Sequence, residues 1–197
     1  MRHIIRKLAA IGAMALSALC APLASAAVLN FDDIVGPDEF AAVPGNYDGL
    51  DWSNAGLNVF TGELPFAPHS GHGQVTTGWT DGGPVESTIR FLAPTIFHGA
   101  WFSGYEDGSV RFDLYAGGQL VARSGALQLS GTSTFLDAGW AGAIDAVVVF
   151  ASAEGAYGMD DFTFADPAQV PEPGTLALIL AGAGCLILRR KQQGPRP

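Results

Sequence analysis

The chain has 197 residues, with 19 Asp and Glu against 10 Lys and Arg and a formal charge of −9 at pH 7. The basic residues sit mostly at the two ends: between residues 27 and 170 there are 18 acidic side chains and only Arg90, Arg111 and Arg123, a formal charge of −15. Such a surface repels phosphate backbones and lacks the basic stripe that DNA or RNA requires, so nucleic acid is excluded as a partner.

Arg2, Arg6 and Lys7 precede an apolar stretch from Leu8 to Leu19, followed by Ala24-Ser25-Ala26. This is the layout of a secretory signal peptide, with cleavage expected after Ala26. The shortness of the run and Pro22 argue against a retained membrane helix, and bulky Leu19 before Cys20 argues against a lipoprotein. Cys20 and Cys185 fall in this segment and in a C-terminal apolar run, so the exported part has no disulfide to staple it. Roughly residues 27 to 170 remain, the size of one domain, which must be held by its core or by bound metal.

From Ala27 to Ala165 short β-type runs alternate with Gly, Pro, Asn and Asp. Strands are expected at 28–34 (VLNFDDI), 57–60 (LNVF), 74–79 (QVTTGW), 86–92 (ESTIRFL), 95–104 (TIFHGAWFSG), 109–115 (SVRFDLY), 119–125 (QLVARSG), 143–152 (AIDAVVVFAS) and 158–164 (GMDDFTF). Frequent strands separated by turn residues predict an all-β, antiparallel β-sandwich over 27–166. The clearest local signal is SVRFDLYAGGQLVARS: Val110, Phe112 and Leu114 alternate with polar residues, and Gly117-Gly118 suits a two-residue hairpin turn. VVVF (147–150) does not alternate and reads as a central strand covered on both faces. The Pro- and Gly-rich stretch at 62–73 reads as a long surface loop.

Two acidic pairs stand near the ends of this domain, Asp32-Asp33 in NFDDI and Asp160-Asp161 in GMDDFTF. On strictly alternating strands Asp33 shares a face with Leu29 and Phe31, and Asp160 with Phe162 and Phe164. A buried carboxylate needs a partner, and with three arginines available a hard cation such as Ca²⁺ would serve. The alternative is that these acids cap strand ends without metal. The N-terminal FDD and the C-terminal YGMDDFTF around a β-rich middle resemble jelly-roll carbohydrate-binding modules. That resemblance implies a jelly-roll-like sandwich with a structural calcium between its terminal strands, ligated by Asp33 and Asp160 with Asp32, Asp161 and Glu154 in support. It also implies glycan binding, for which the candidates are aromatic residues beside turns: Tyr47, Trp52, Trp79, Tyr105 and Trp140. Each of these could instead close a small core, and Trp101, inside an apolar run, is assigned to the core.

No catalytic residue is assigned. His69 and His72 lack the helical i, i+4 spacing of a zinc protease, and there is no nucleophile elbow, phosphate-cradling loop or exported cysteine. The many acids would allow the two-carboxylate chemistry of a glycosidase, but no pair is singled out.

At the C-terminus, residues 167–174 form a proline-stiffened linker and Thr175 to Leu188 gives 14 uncharged residues, ended by Arg189-Arg190-Lys191. About 20 apolar residues span a hydrocarbon core, so this hydrophobic helix (175–188) is a marginal membrane segment, its basic tail (189–197) held in the cytoplasm. The full string from Val170 to about Gln192 resembles the PEP-CTERM sorting signal of Gram-negative bacteria. The resemblance implies recognition of Pro171, Glu172 and Pro173 by an exosortase-type protease. It further implies export across the inner membrane, a transient stay in the membrane through the C-terminal helix, and delivery to the cell surface or exopolysaccharide matrix of a biofilm. The expected cargo is non-enzymatic and binds extracellular polysaccharide; the alternatives are a purely structural matrix protein and a polysaccharide-modifying enzyme.

Overall fold

Short apolar runs broken by turn residues fold into strands: among the residues described by the computed structural model (26–35, 39–61, 66–78 and 83–167) there is no α-helix. They fall within one compact unit, Ser25–Pro167. The expected signal peptide, the Pro-rich linker with Pro171, Glu172 and Pro173, the apolar helix, the basic tail and Trp79 lie outside the described residues.

In chain order the strands are β1 (Ala27–Leu29), β2 (Phe40–Ala42), β3 (Asn46–Tyr47), β4 (Leu50–Asp51), β5 (Leu57–Thr61), β6 (Gly73–Thr77), β7 (Val85–Gly104), β8 (Ser109–Ala116), β9 (Gln119–Arg123), β10 (Leu127–Gln128), β11 (Thr134–Asp137), β12 (Ile144–Ala151) and β13 (Tyr157–Ala165). Their pairings are antiparallel. One sheet runs β2-β5-β6-β13-β7-β11, with β1 continuing along the β13 edge that β6 uses. The other holds β3, β4, the first half of β7, β12 and β8, with β9 and β10 on the outer edge of β8.

Strand β7 belongs to both sheets. Its residues up to Arg90, and Thr95 beyond the bend, pair with β12, and those from Ile96 onward pair with β13. The corner lies at Leu92-Ala93-Pro94, three exposed residues, where a proline without an N–H forfeits no ladder bond. The two strands expected at 86–92 and 95–104 are thus one strand bent at its proline.

Between the sheets lies one continuous apolar core. Phe97 and Phe102 of the first sheet meet Phe112 of the second at ring distances of 4.9 and 5.6 Å, and Phe91 lies 6.2 Å from Phe162. The expected hairpin forms at Gly117 and Gly118, with φ of 58° and 73° and Ala116 opposite Gln119. A second two-residue turn, Asp48-Gly49, joins β3 to β4 with φ of 49° and 78°.

Two expectations are corrected. Strand β12 is central, between β7 and β8, but only one of its faces is packed: Val147 and Val149 are fully buried, while Val148 and Phe150 are half-buried, with the Arg111 guanidinium 3.7 Å above the Phe150 ring. On that outer face Asp113 accepts two bonds from Arg123, at 2.7 and 2.6 Å, and one from Arg111 at 3.2 Å, and these guanidiniums hold its carboxyl below the usual range. The expected strand at 28–34 stops at Leu29. Phe31 takes a left-handed φ of 60°, and a turn follows, so Asp33 does not share a strand face with Leu29 and Phe31.

Candidate functional site

The site is made by two irregularities that face each other in neighbouring strands. In β13 the register passes from Asp160 opposite Trp101 to Thr163 opposite Gly99, which leaves one extra residue in β13; Asp161 there has φ of 47°. In β7 the register then passes from Gly99 to Phe97 against Thr163 and Phe164, one extra residue on the other side. Bulges of this kind reverse the in-and-out phase of a strand. Met159 and Phe162 are both fully buried in the core, so Asp160 points outward, not to the side of Phe162 and Phe164 as strict alternation requires. Likewise Phe97, Ala100 and Phe102 face the core and Trp101 is placed on the outer face, not in the core.

The segment 66–72 lies over this outer face and buries the carboxylates. Asp160, 2% exposed, accepts the Ser70 N–H on Oδ2 (2.7 Å) and the Asp161 N–H on Oδ1 (2.6 Å). Asp161 accepts the Ser70 hydroxyl on Oδ1 (2.8 Å), and its Oδ2 is 2.6 Å from His69 Nδ1. Asp32 Oδ1 accepts the N–H groups of His72 and Gly73, both at 2.7 Å. Gly71, at φ 52°, has no room for a Cβ because the Asp32 carboxylate fills that place. Farther along the loop, Gln74 Nε2 donates to Phe66 O and the Ser103 hydroxyl to Ala67 O.

Burial, opposed by the Ser70 N–H and reinforced by the neighbouring Asp161 charge, pushes the Asp160 carboxyl up from 3.8 to about 7. A raised carboxyl pKa favours the protonated native state, so its contribution is complete below about 3.8 and is lost as pH rises through about 7. The melting temperature is therefore expected to fall between these values, and Asp160→Asn to flatten that slope; an equally steep slope in the variant would rule out Asp160 as its source. The depressed carboxyl of Asp113 acts in the other direction, below 3.8, so the two effects separate on the pH axis.

The five acids expected to share calcium are placed among different partners. Asp32, Asp160 and Asp161 hold the loop. The Asp33 carboxylate accepts the Tyr47 hydroxyl at 2.7 Å, and Glu154 lies in the β12–β13 turn beside Gly78. Among the described residues no group of three His, Cys, Asp or Glu is arranged to hold a metal ion. Each oxygen of Asp160 and Asp161 already faces a donor or the His69 imidazole.

Of the aromatic candidates, Trp52 is a core residue, 2% exposed, its ring 5.7 Å from Phe31 and 5.6 Å from Phe162 and its Nε1 donating to Tyr47 O. Tyr47 is half-buried, and burial together with Asp33 raises the pKa of its phenol. Tyr105 (50% exposed) stands edge-on to Phe66 at 5.7 Å, and Trp140 (41% exposed) lies in the turn after β11.

The aromatic cluster that sequence reasoning missed is built on Trp101. His69 stacks on its face at 3.5 Å and 10°, and Phe135, directly opposite in β11 and 36% exposed, meets it at 5.6 Å. Phe135, Trp101 and Asp160 thus form a row across β11, β7 and β13. Exposed Asp137, two residues beyond Phe135, shares its face.

No curated protein matches the chain. Among solved structures it is similar to a carbohydrate-binding module, TmCBM61, in complex with β-1,4-galactotriose, at 12% identity over 64% of this chain and 99% of that one, with a TM-score of 0.39. It is also similar to a mutant family 29 carbohydrate-binding module complexed with mannohexaose, at 12% identity over 72% of this chain and 92% of that one, with a TM-score of 0.38. Residues 169–191 match a family description directly: this part of the chain is a PEP-CTERM protein-sorting motif.

Proposed function

We propose that the protein is an exported, non-enzymatic cargo that an exosortase-type protease recognises at Pro171, Glu172 and Pro173 and that is displayed at the cell surface or in the exopolysaccharide matrix of a Gram-negative bacterium, where it binds glycan. The observation that carries the reading is the sorting motif at 169–191, which begins four residues after the last strand ends at Ala165. Before processing, the apolar run within that motif, residues 175–188, holds the chain in the membrane. Glycan binding is supported by the Trp101–Phe135 pair, since the apolar face of a sugar ring packs on exposed aromatic carbon. A binding role is favoured over a catalytic one because the two buried acids use their oxygens to fasten the 66–72 loop.

The test follows the full chain in cells that contain a sorting protease. Mass spectrometry of the surface and medium fractions is expected to show a protein lacking Arg189 to Lys191, and Glu172→Ala to retain them. The surface form should be held on immobilised polysaccharide and lose that retention with Trp101→Ala while the domain remains folded. A tail kept in every fraction would reject the sorting reading; a processed protein that no polysaccharide holds would leave a structural matrix role in place of glycan binding.

A further inference from the structure

We infer that the glycan taken by the Trp101–Phe135 face carries protonated amino groups, a polymer of aminosugars with free amines. The inference rests on the glycan-binding reading above and names its ligand class.

It follows from what the face offers. The strands of the first sheet, β1, β2, β5, β6, β11, β13 and the second half of β7, contain no Arg or Lys. The domain's three arginines lie in the other sheet, where Arg111 and Arg123 are bound to Asp113 and Arg90 stands opposite Asp51. A uronate, sulfate or phosphate on a sugar would find no guanidinium or ammonium at the aromatic pair and would enter the field of a domain with formal charge −15.

Besides the His69 imidazole, already engaged by Asp161, a hydrogen-bond acceptor stands beside the rings, the Asp137 carboxylate. Asp137 holds the Gly139 N–H on Oδ1 at 2.6 Å and is otherwise exposed, so a carboxylate with about four lone-pair sites keeps room for further donors. Asp161 fixes His69 against Trp101 with the same chemistry. An ammonium group brings three donors and a positive charge, and it can sit over an aromatic ring while facing a carboxylate. A hydroxyl-only sugar uses the rings but leaves the Asp137 charge unmatched. An exposed ion pair and an exposed cation–π contact are each weak, so the preference expected for the amine form is modest, about tenfold.

The experiment uses the full chain in detergent with three polymers: deacetylated polyglucosamine, its N-acetylated counterpart and polygalacturonate. At low salt and a pH where the amines are protonated, the deacetylated polymer should be bound about tenfold more tightly than the acetylated one, and added salt should erase the difference. Asp137→Asn should remove the preference. Asp48→Asn, which takes the same charge from the β3–β4 turn of the other sheet, should leave it intact. Equal binding of the acetylated and deacetylated polymers, or an equal loss in the two variants, would overturn this inference while leaving glycan binding standing. Binding to none of the three, with or without salt, would overturn both, and tightest binding to polygalacturonate would reverse the assigned charge class.

Discussion

Phe162→Ala is expected to destabilise the domain by about 3–5 kcal/mol, a large share of the roughly 5–15 kcal/mol that holds a typical domain folded. The ring is fully buried and stands where the two sheets and the first strand meet. It lies 4.6 Å from Phe97, 5.6 Å from Trp52, 6.2 Å from Phe91 and 6.1 Å from Phe164, and its backbone pairs with Leu29. The aromatic neighbours come from both halves of β7 (Phe91, Phe97), from β13 itself (Phe164) and from the segment after β4 (Trp52); held by these separate backbones they cannot close together, so truncation leaves a cavity in place of a collapsed core. Urea unfolding followed by tryptophan fluorescence checks this, with Trp52 as a reporter in contact with the site. Phe162→Leu should recover much of the loss. A cost below about 1 kcal/mol for Phe162→Ala would show that the surroundings relax into the space, contrary to the packing seen here.

Phe162 also shows where sequence reading succeeds and where it stops. The strand at 158–164 is recognised from its composition, and β8, β9 and their Gly117-Gly118 turn are recognised almost residue by residue, because alternation and turn chemistry are local properties. The same Gly-containing turn signal stands in Asp48-Gly49, but strands of two residues on either side are too short to show a period. Pro94 reads as a break because a proline inside a ladder forfeits a bond, and only the presence of a second sheet turns that break into a corner.

The site itself is largely illegible in the sequence. Assigning Asp160 to a face assumes period 2, and a single extra residue at Asp161 and another before Gly99 invert every assignment beyond it, while Trp101 reads as core because it stands in an apolar run. The positive φ of Asp161 and the glycine at 99 are compatible with bulges but do not announce them. The stretch at 62–73 reads as a long surface loop. Its attachment to Asp32, Asp160 and Asp161 depends on residues up to 92 positions apart in sequence, which no local pattern reports. The two acidic pairs read as needing partners: the 66–72 segment supplies N–H groups, a hydroxyl and an imidazole to Asp32, Asp160 and Asp161, while Asp33 takes the Tyr47 hydroxyl and Asp160 also the Asp161 N–H.

Gly99→Ala is expected to remove β11 from the sheet edge and with it the aromatic face. Gly99 sits between two neighbours, Asp137 of β11 and Thr163 of β13, at φ 142°, a conformation that side chains rarely adopt. A Cβ there would meet the Leu136 carbonyl oxygen, with Phe135 Cζ 2.8 Å and Leu136 C 3.1 Å away. The carbonyl belongs to the backbone of the paired strand and cannot rotate aside. Overpacking costs about 1–3 kcal/mol and the strained backbone a similar amount, more than the short pairing of β11 can supply. Phe135 and Asp137 leave with the strand, so retention on polysaccharide should be lost while the remaining core, including Phe162, stays folded. Gly117→Ala provides the contrast: φ is 58°, nothing lies within 4 Å of the added methyl, and only the left-handed penalty of about 1–2 kcal/mol applies. It should lower stability slightly and leave polysaccharide retention unchanged. If Gly99→Ala proves as mild as Gly117→Ala in both unfolding and retention, β11 does not hold the binding face in the way its register with Gly99 and Trp101 implies.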